Sequence, residues 1–241
     1  MITGALPAIM VWPSVMSVFD AIAHAFSTVA IGGFSTHDAS MGYFDNDGIL
    51  LVCSLFMCFS AVNFGLHFIA WRRRTAVVYS KDSETRFFFS VLLVCIVITC
   101  AYLMLTQTLS PGDSLIHGLF QAISITTTTG FATQNFALWP SFLPVMMLFF
   151  SFMGGCVGST GGGIKVVRQL LLFKNGAQEL KRTLHPHGII PVRLNGDAVP
   201  QEIIFKVMAF FQLYIATFVL GAVVMALLGL DFETAIGVSI A

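Results

Sequence analysis

A run of four threonines, followed by glycine and phenylalanine, interrupts a chain that is otherwise apolar enough to lie in a membrane. The run belongs to the stretch Ser124–Phe136, which reads SITTTTGFATQNF. Adjacent threonine and glycine residues suit a lipid-facing helix poorly. They favour extended backbone whose carbonyl oxygens turn inward, as in the filters that replace the hydration shell of an ion. Irregular backbone is tolerated at membrane depth only where protein buries it or where it lines a watery cavity, so the rest of the chain must enclose this stretch.

A second copy of this pattern lies upstream, in Ala25–Thr36. Aligning Gly33 on Gly130 brings further residues of the two copies into register: Ala25 with Ala122, Ser27 with Ser124, Phe34 with Phe131 and Thr36 with Thr133. A third copy begins at Asp231, and its glycine would fall beyond the last residue. Self-similarity of this kind predicts repeated structural units. We expect the chain to be a fragment of a longer subunit.

The composition agrees with a membrane location. Of the 241 residues, 56% are hydrophobic and 10% are charged, whereas about 25% of the residues of a soluble domain are charged. We therefore predict an all-α integral membrane protein. Its repeated units would each contain a membrane helix, a pore helix, a filter loop and a second membrane helix, as in potassium channels.

The charged residues are segregated along the chain. All Lys and Arg residues lie in two windows, Arg72–Arg86 and Lys165–Lys206, which the positive-inside rule assigns to the cytoplasm. The other side carries acidic residues with no basic residue to offset them: Asp20, Asp38, Asp45, Asp47, Asp113, Asp231 and Glu233. An acidic mouth concentrates cations, which favours a cation channel over a channel for water or a neutral solute.

Segment lengths indicate which parts cross the membrane, since a spanning helix needs about 20 residues. Full spans are expected at residues 48–71, 86–108 and 201–229, and short re-entrant helices at residues 18–29 and 114–125. Residues 75–84 form a polar linker. Residues 1–17 are apolar but short for a span, and are interpreted as the tail of a preceding helix.

The span at Ser141–Phe173 is expected to break. Six glycines lie between Gly154 and Gly163, and each costs roughly 1 kcal/mol relative to alanine in a helix. Because the freed backbone groups need partners inside a membrane, we predict an intramembrane loop at residues 152–165 that gates the filter from below. The candidate gating residues are Gly154, Gly155, Gly158, Ser159, Thr160, Gly161, Gly162, Gly163 and Lys165. Lys165 is either an anchor at the end of the span or a cation in the gate.

The filter hypothesis rests on backbone carbonyl oxygens. The expected ligands of the ion are the carbonyls of Ile31, Gly32 and Gly33 in the first copy and of Thr128, Thr129 and Gly130 in the second. Because backbone atoms bind the ion, isoleucine and threonine can occupy matching positions. The competing interpretation is a threonine-rich helix end capped by glycine. Two copies, each between a short helix and a span, favour the filter.

Other kinds of site fit the sequence less well. The glycine-rich loop lacks the spacing of a phosphate-binding loop, and no strand precedes it. An intramembrane serine protease would use Ser159 as its nucleophile and His67 as its base, but nothing in the sequence brings these two residues together. His185 and His187 flank a proline, and two histidines are weak evidence for a metal site.

Polar and sulfur-containing residues within the apolar runs are interpreted as packing residues. The five cysteines show no Cys-x-x-Cys spacing, and buried thiols in helices usually behave as small hydrophobic groups. His24 and Asn63 interrupt apolar runs. We expect both to face the protein interior, where packing or hydrogen bonding accounts for them better than ion binding.

With these stretches in place, the chain resembles the Trk/Ktr/HKT superfamily of potassium transporters. The resemblance rests on AIGGFSTHDAS at residues 30–40, TTTTGFAT at 126–133, GGCVGSTGGGIK at 154–165 and LLLFKNGAQELKR at 170–182. Members carry four membrane–pore–membrane repeats around one pore. The resemblance implies that residues 1–74 form the second repeat, that residues 75–183 form the third, and that residues 184–241 hold a cytoplasmic loop and the start of the fourth.

The same resemblance implies a function and partners. The protein is expected to carry K⁺ across the bacterial inner membrane, with no enzymatic activity and no organic cofactor in this chain. A homodimer in the lipid bilayer is expected, regulated by a cytoplasmic RCK/TrkA-type nucleotide-binding subunit and without nucleic acid. The sequence leaves open both the preference for K⁺ over Na⁺, which depends on filter geometry, and the coupling to H⁺ or Na⁺.

Overall fold

A computed structural model describes residues 16–140, 142–184 and 190–240. The expectations for residues 1–15, for the two histidines at 185 and 187, and for the side chain of Glu233 lie outside the described part of the chain. The described helices are α1 (Val18–Ala30), α2 (Asp47–Ser60), α3 (Phe64–Arg73), α4 (Val77–Lys81), α5 (Ser83–Leu105), α6 (Pro111–Thr126), α7 (Phe142–Ser151), α8 (Val166–Leu184), α9 (Gln201–Leu227) and α10 (Phe232–Ile240).

Short elements complete the described fold. An antiparallel hairpin of β1 (Arg193–Leu194) and β2 (Asp197–Ala198) joins α8 to α9. Turns of 3₁₀-helix form at Ser40–Phe44 and Phe136–Leu138. The segment predicted as a polar linker at residues 75–84 contains α4 and the start of α5.

Two of the predicted spans are single helices. Both α5 and α9 are long and apolar enough to cross a membrane, which confirms the spans expected at residues 86–108 and 201–229 with small shifts at their ends. The glycine-rich segment after α7 is not helical, as predicted, and the chain resumes as α8 at Val166.

The span expected at residues 48–71 is not a single helix. This region forms two helices, α2 and α3, bent by 94° at residues 61–63. Asn63 is the N-cap of α3, and its Oδ1 accepts a hydrogen bond from the N–H of Gly65 at 2.7 Å. Asparagine is a preferred residue at such a helix start. The break is hard to recognise in the sequence because apolar residues flank it and no proline marks it.

The two short helices expected at re-entrant length are present. In α1, Ser17 Oγ accepts a hydrogen bond from the N–H of Asp20 at 3.1 Å, and in α6, Ser110 Oγ accepts one from the N–H of Asp113 at 3.2 Å. Both acids lie in the first helical turn, where they complement the helix dipole. α1 packs against α2, and α6 packs against α2 and α5.

The hydrophobic core includes a residue of each filter stretch, Ile31 and Phe131. One cluster combines buried residues of α1, α2, α5 and α6 with Phe131 of the second stretch and Cys156 of the glycine-rich loop. A second cluster joins α5, α6 and α7 through Leu103, Ala122 and Leu143. The irregular segments are therefore packed against the helices through these buried residues.

The long helix α9 lies at the edge of this core. It packs against α8 and α10, and two of its aromatic residues, Tyr214 and Phe218, contact the Phe152 ring. The guanidinium of Arg168 lies 3.8 Å from the centre of the Phe210 ring, a favourable contact between a cation and an aromatic face. These contacts attach α9 to the segment that carries the glycine-rich loop.

Candidate functional site

The two filter stretches follow the C-terminal ends of α1 and α6 and share one backbone conformation. Ile31 and Gly33 have positive φ angles of 54° and 68°, and Gly32 between them lies outside that region. At the matching positions Thr128 and Gly130 have φ angles of 64° and 89°. Branched residues rarely adopt such angles, so the surrounding structure must hold them there. Where left-handed residues alternate with residues of ordinary φ, successive carbonyl oxygens point to one side of the backbone. In a regular β-strand, successive residues point to opposite sides instead.

The hydrogen bonds that end the two short helices also match. The N–H of Gly32 donates to the Ser27 carbonyl at 2.8 Å, and the N–H of Thr129 donates to the Ser124 carbonyl at 2.8 Å. These donors and acceptors occupy equivalent positions in the two sequence copies. The repeat recognised in the sequence is therefore also a repeat of backbone structure.

Side-chain hydroxyls brace the second stretch. Ser124 Oγ donates to the carbonyl of Phe131 at 2.7 Å, and the hydroxyls of Thr127 and Thr129 are hydrogen-bonded to each other at 2.7 Å. All four side chains are buried. Because the Thr127 hydroxyl also bonds the Ile123 carbonyl at 2.8 Å, it serves to hold the strand in shape.

The two stretches are in direct contact. A side-chain carbon added to Gly33 would collide with the carbonyl of Thr129. The outer loop of the first copy is tied to the second copy, because the N–H of Gly42 donates to the Ala132 carbonyl at 3.2 Å and Ser40 Oγ accepts from the N–H of Ala132 at 3.2 Å. All six predicted carbonyl ligands therefore lie on two adjacent filter stretches.

The glycine-rich loop fills the break between α2 and α3. The N–H of Cys156 donates to the Ala61 carbonyl at 2.8 Å, and the N–H of Phe64 donates to the Gly158 carbonyl at 3.0 Å. The N–H of Thr160 donates to the Ser60 carbonyl at 3.4 Å. Two irregular segments inside a membrane thus satisfy each other's backbone groups, which water cannot do at that depth.

The same loop reaches the base of both filter stretches. Thr160 Oγ1 donates to the carbonyl of Val29 at 3.0 Å, next to the first stretch. The N–H of Gly162 donates to Thr128 Oγ1 at 2.9 Å, in the second stretch. A carbon added to Gly161 would lie 3.2 Å from the Thr127 carbonyl. The predicted gating residues at 160–162 therefore form the tip of the loop, and they contact both filter stretches.

Two charged side chains belong to the loop's surroundings. Lys165 Nζ donates to the carbonyl of Gly161, so it folds back on the loop rather than extending to the end of the span. Sequence reasoning did not single out Glu84, whose Oε1 accepts from the N–H of Val157 at 2.8 Å and of Val167 at 3.1 Å. An acid in the first turn of an apolar helix was the signal that could have identified it.

The proposed protease pair is not formed. Both ring nitrogens of His67 have other partners: Nδ1 lies 2.7 Å from the Tyr79 hydroxyl, and Nε2 lies 2.8 Å from the Phe59 carbonyl. Ser159 Oγ donates to the carbonyl of Cys156 at 2.6 Å. Without a base beside it, this hydroxyl has no activation as a nucleophile.

The mouth of the first copy carries a bonded carboxylate. Asp20 accepts hydrogen bonds from the hydroxyls of Ser17 and Thr36, each at 2.6 Å. These bonds, that of Ser17 above all, lower the pKa of the Asp20 carboxyl.

His24 is fully buried behind the first stretch, with its ring nitrogens 2.7 Å from the Asp20 carbonyl and 2.9 Å from Ser35 Oγ, so the expectation of an interior, hydrogen-bonded histidine is confirmed.

Resident metal binding has no support in the described part of the chain. Among residues 16–140, 142–184 and 190–240, no group of three or more His, Cys, Asp or Glu side chains is arranged to hold a metal ion. The five cysteines are free thiols.

The sequence matches the model of the TrkH family, described as cation transport proteins, over residues 5–239. The chain belongs to the TrkH family. This membership confirms the resemblance drawn from the four sequence stretches, and it agrees with the prediction of a transport protein rather than an enzyme. Together with the apolar helices, it identifies this TrkH-family chain as an integral membrane protein.

Individual relatives agree with the family assignment. The chain is 46% identical over 220 residues to the Trk system potassium uptake protein TrkH of Halomonas elongata, covering 91% of this chain and 46% of that protein. It is 44% identical over 225 residues to TrkH of Escherichia coli K12, covering 93% of this chain and 47% of that protein. The chain thus spans about half the length of the curated relatives it matches.

A solved structure has the same fold. The crystal structure of the potassium transporter TrkH from Vibrio parahaemolyticus superposes with a TM-score of 0.93 at 44% identity, and the match covers 99% of this chain and 52% of that one. The all-α membrane fold predicted from the sequence is therefore confirmed for this TrkH-family chain.

Proposed function

We propose that the protein containing this chain takes up K⁺ across the bacterial inner membrane. Its relatives in Halomonas elongata and Escherichia coli are named potassium uptake proteins. The observation that carries the proposal is the duplicated backbone geometry, with left-handed residues at Ile31 and Gly33 and again at Thr128 and Gly130. Carbonyls aligned in this way replace the hydration shell of K⁺. The proposed ligands are the carbonyls of Ile31, Gly32, Gly33, Thr128, Thr129 and Gly130.

The glycine-rich loop at residues 152–165 is the proposed gate. Its tip bonds the Val29 carbonyl and Thr128 Oγ1, so it lies across the cytoplasmic ends of both filter stretches. Ions leaving the filter would have to pass this loop. The positive φ angles of Gly154, Gly158 and Gly163 allow backbone shapes that other residues rarely adopt, which suits a segment with more than one arrangement.

The proposal also covers the organisation of the chain into pore repeats and the partners of the protein. Residues 1–74 would form the second pore repeat, residues 75–183 the third, and residues 184–241 a cytoplasmic loop and the start of the fourth. A homodimer with a cytoplasmic RCK/TrkA-type nucleotide-binding subunit would follow from the superfamily resemblance. The basic windows Arg72–Arg86 and Lys165–Lys206 would supply the cytoplasmic face for that partner.

The test is Rb⁺ uptake in cells that lack other potassium uptake systems, with the full-length parent protein carrying Gly130→Ser. Gly130 has a φ of 89° and open space where a side chain would begin. Serine therefore strains the backbone that presents the carbonyls without a steric collision. We expect loss of K⁺-selective uptake, at least tenfold.

Gly229→Ser is the matched control. Gly229 has a φ of 94° and the same open space, but it lies in the turn between α9 and α10, outside both filter stretches. The two variants therefore carry similar backbone strain. If uptake and selectivity in Gly130→Ser equal those in Gly229→Ser, the filter assignment is wrong.

A further inference from the structure

Glu84 connects a residue within the glycine-rich loop to a residue just after it. It lies in the first turn of α5, and its side chain is only 8% exposed. One of its oxygens, Oε1, accepts hydrogen bonds from the N–H of Val157 and from the N–H of Val167. Val157 lies within the loop. Val167 lies in the first turn of α8, directly after the loop. Residues 158–166 are therefore closed into a ring by one carboxyl oxygen.

Neither bond can be replaced easily by another group. The N–H of Val167 is one of the groups that a helix start leaves without an intrahelical partner, and a carboxylate there also complements the helix dipole. The N–H of Val157 lies in irregular backbone, where no helix or strand supplies it with an acceptor. Between these two bonds, Lys165 bonds the loop carbonyl of Gly161.

The position of Glu84 is itself well determined. Asp82, the N-cap of α5, accepts hydrogen bonds from the N–H and the hydroxyl of Thr85 at 2.8 and 2.7 Å. The cytoplasmic hairpin holds the same helix end, because Asn195 accepts from the N–H of Ser83 at 2.7 Å and donates to Asp82 at 2.9 Å. The carboxyl group is thus carried by a fixed helix end, while the loop that it holds is rich in glycine.

We infer that Glu84 is the positioning residue of the gate: it ties Val157, within the glycine-rich loop, to Val167, just after the loop, so that residues 160–162 stay against the filter stretches. This inference rests on the proposed function, because it assigns a role within the gate. Loss of the Glu84 bonds should free the loop and raise ion flux when no regulatory partner is bound. Within the described residues, the hydrogen bonds of Glu84 go to Val157 and Val167 and not to either filter stretch, so ion selectivity should stay unchanged.

The experiment measures the loop directly as well as the flux. Cys156 lies at the base of the loop and is fully buried, so its thiol reports loop displacement. The full-length protein in inside-out vesicles is treated with a small cationic methanethiosulfonate, and labelling of Cys156 is followed by peptide mass spectrometry. Rb⁺ and Na⁺ fluxes are measured on the same vesicles.

The variants are Glu84→Gln, which keeps the shape and removes the charge, and Glu84→Ala, which removes both bonds. Hydrogen bonds to charged groups are the stronger ones, so we expect Cys156 labelling to be at least tenfold faster in Glu84→Ala and intermediate in Glu84→Gln. Glu202→Gln is the matched control, since Glu202 also lies in the first turn of a span but pairs with Lys206 at the surface.

The outcomes separate this inference from the proposed function. Labelling as slow as in the wild type and Glu202→Gln would overturn the positioning role, and Glu84→Gln decides this even if Glu84→Ala fails to fold. Faster labelling with unchanged Rb⁺ flux would retain the positioning role and overturn the loop as the gate. Faster labelling with raised Rb⁺ flux and an unchanged Rb⁺-to-Na⁺ ratio supports both.

Discussion

The two filter stretches have the same backbone and different surroundings. Phe131 of the second stretch is fully buried and stacks on His24, with ring centres 5.9 Å apart, whereas the matching Phe34 is 82% exposed. Ser124 bonds the Phe131 carbonyl, whereas Ser27 Oγ has no hydrogen-bond partner within the described residues. The same pattern of positive φ at Ile31 and Gly33 therefore forms without the hydroxyl braces of the second copy, and those braces add stability to a shape that the helix end already defines.

The largest difference between the copies should come from their central glycines. Gly33→Ala and Gly130→Ala both place a side chain at a left-handed position, which costs about 1–2 kcal/mol. At Gly33 the new carbon also meets the Thr129 carbonyl, whereas at Gly130 the space is open. Forced overpacking adds about 1–3 kcal/mol. We expect Gly33→Ala to lower the free energy of unfolding of the detergent-solubilised protein more, and to abolish Rb⁺ uptake.

Equal losses of stability in the two glycine variants would contradict the close contact between the stretches. Gly176→Ala serves as the control, because Gly176 lies within α8 with open space around it and no positive φ. Alanine there should be neutral or stabilising.

The serine braces should give the next largest difference. Ser124→Ala leaves the buried carbonyl of Phe131 without its donor at 2.7 Å, and an unsatisfied buried group costs about 1–3 kcal/mol. Ser27→Ala removes no bond of this kind and should change stability little. The check is the thermal midpoint of both variants beside the wild type; similar midpoints would mean that the Ser124 bond does not stabilise the second stretch.

The contact between loop and filter should give a moderate effect in the second copy only. Thr128→Val keeps the shape of the side chain but removes the acceptor of the Gly162 N–H, a bond worth about 1 kcal/mol. Basal Rb⁺ flux should rise roughly fivefold as the loop loosens. Ile31→Val, at the matching position, should leave the flux unchanged. If Rb⁺ flux increased equally in both variants, the hydrogen bond between Gly162 and Thr128 would not be what holds the loop.

The smallest effect is expected at the mouth of the first copy. The hydroxyls of Ser17 and Thr36 lower the pKa of Asp20 below its ordinary value of 3.8. A lowered pKa means that the carboxylate contributes stability above pH 3.8, and that this contribution is lost as the pH falls through the lower value in the folded protein. Asp20→Asn should therefore lower the thermal midpoint slightly at pH 7, with a difference that vanishes in strong acid.

Because Asp20 is near solvent, the shift in the thermal midpoint of Asp20→Asn should be small. Thr36→Val should shift the thermal midpoint in the same direction by a still smaller amount. A midpoint difference for Asp20→Asn that grew as the pH fell would have the wrong sign and would contradict the stabilising role of this carboxylate.

Several elements were predictable because their signals are local. The short helices at Val18–Ala30 and Pro111–Thr126 follow from serine caps and apolar runs too short to span. The interruption after α7 follows from its glycines, and the repeat follows from matching residues around Gly33 and Gly130. The bend between α2 and α3 was missed because Asn63 alone signals it, and the polar side chain was interpreted as a packing residue.

The sequence by itself determined the membrane class, the two filter stretches and the place of the glycine-rich loop, because hydropathy, length and glycine content act within a few residues. The tertiary structure decided what those segments touch. That Glu84 holds Val157 and Val167, that the loop fills the break at residues 61–63, and that Phe131 is buried while Phe34 is exposed all depend on residues far apart in the chain. Inside a membrane each freed backbone group must find such a partner, and only the packing of the helices determines which one it finds.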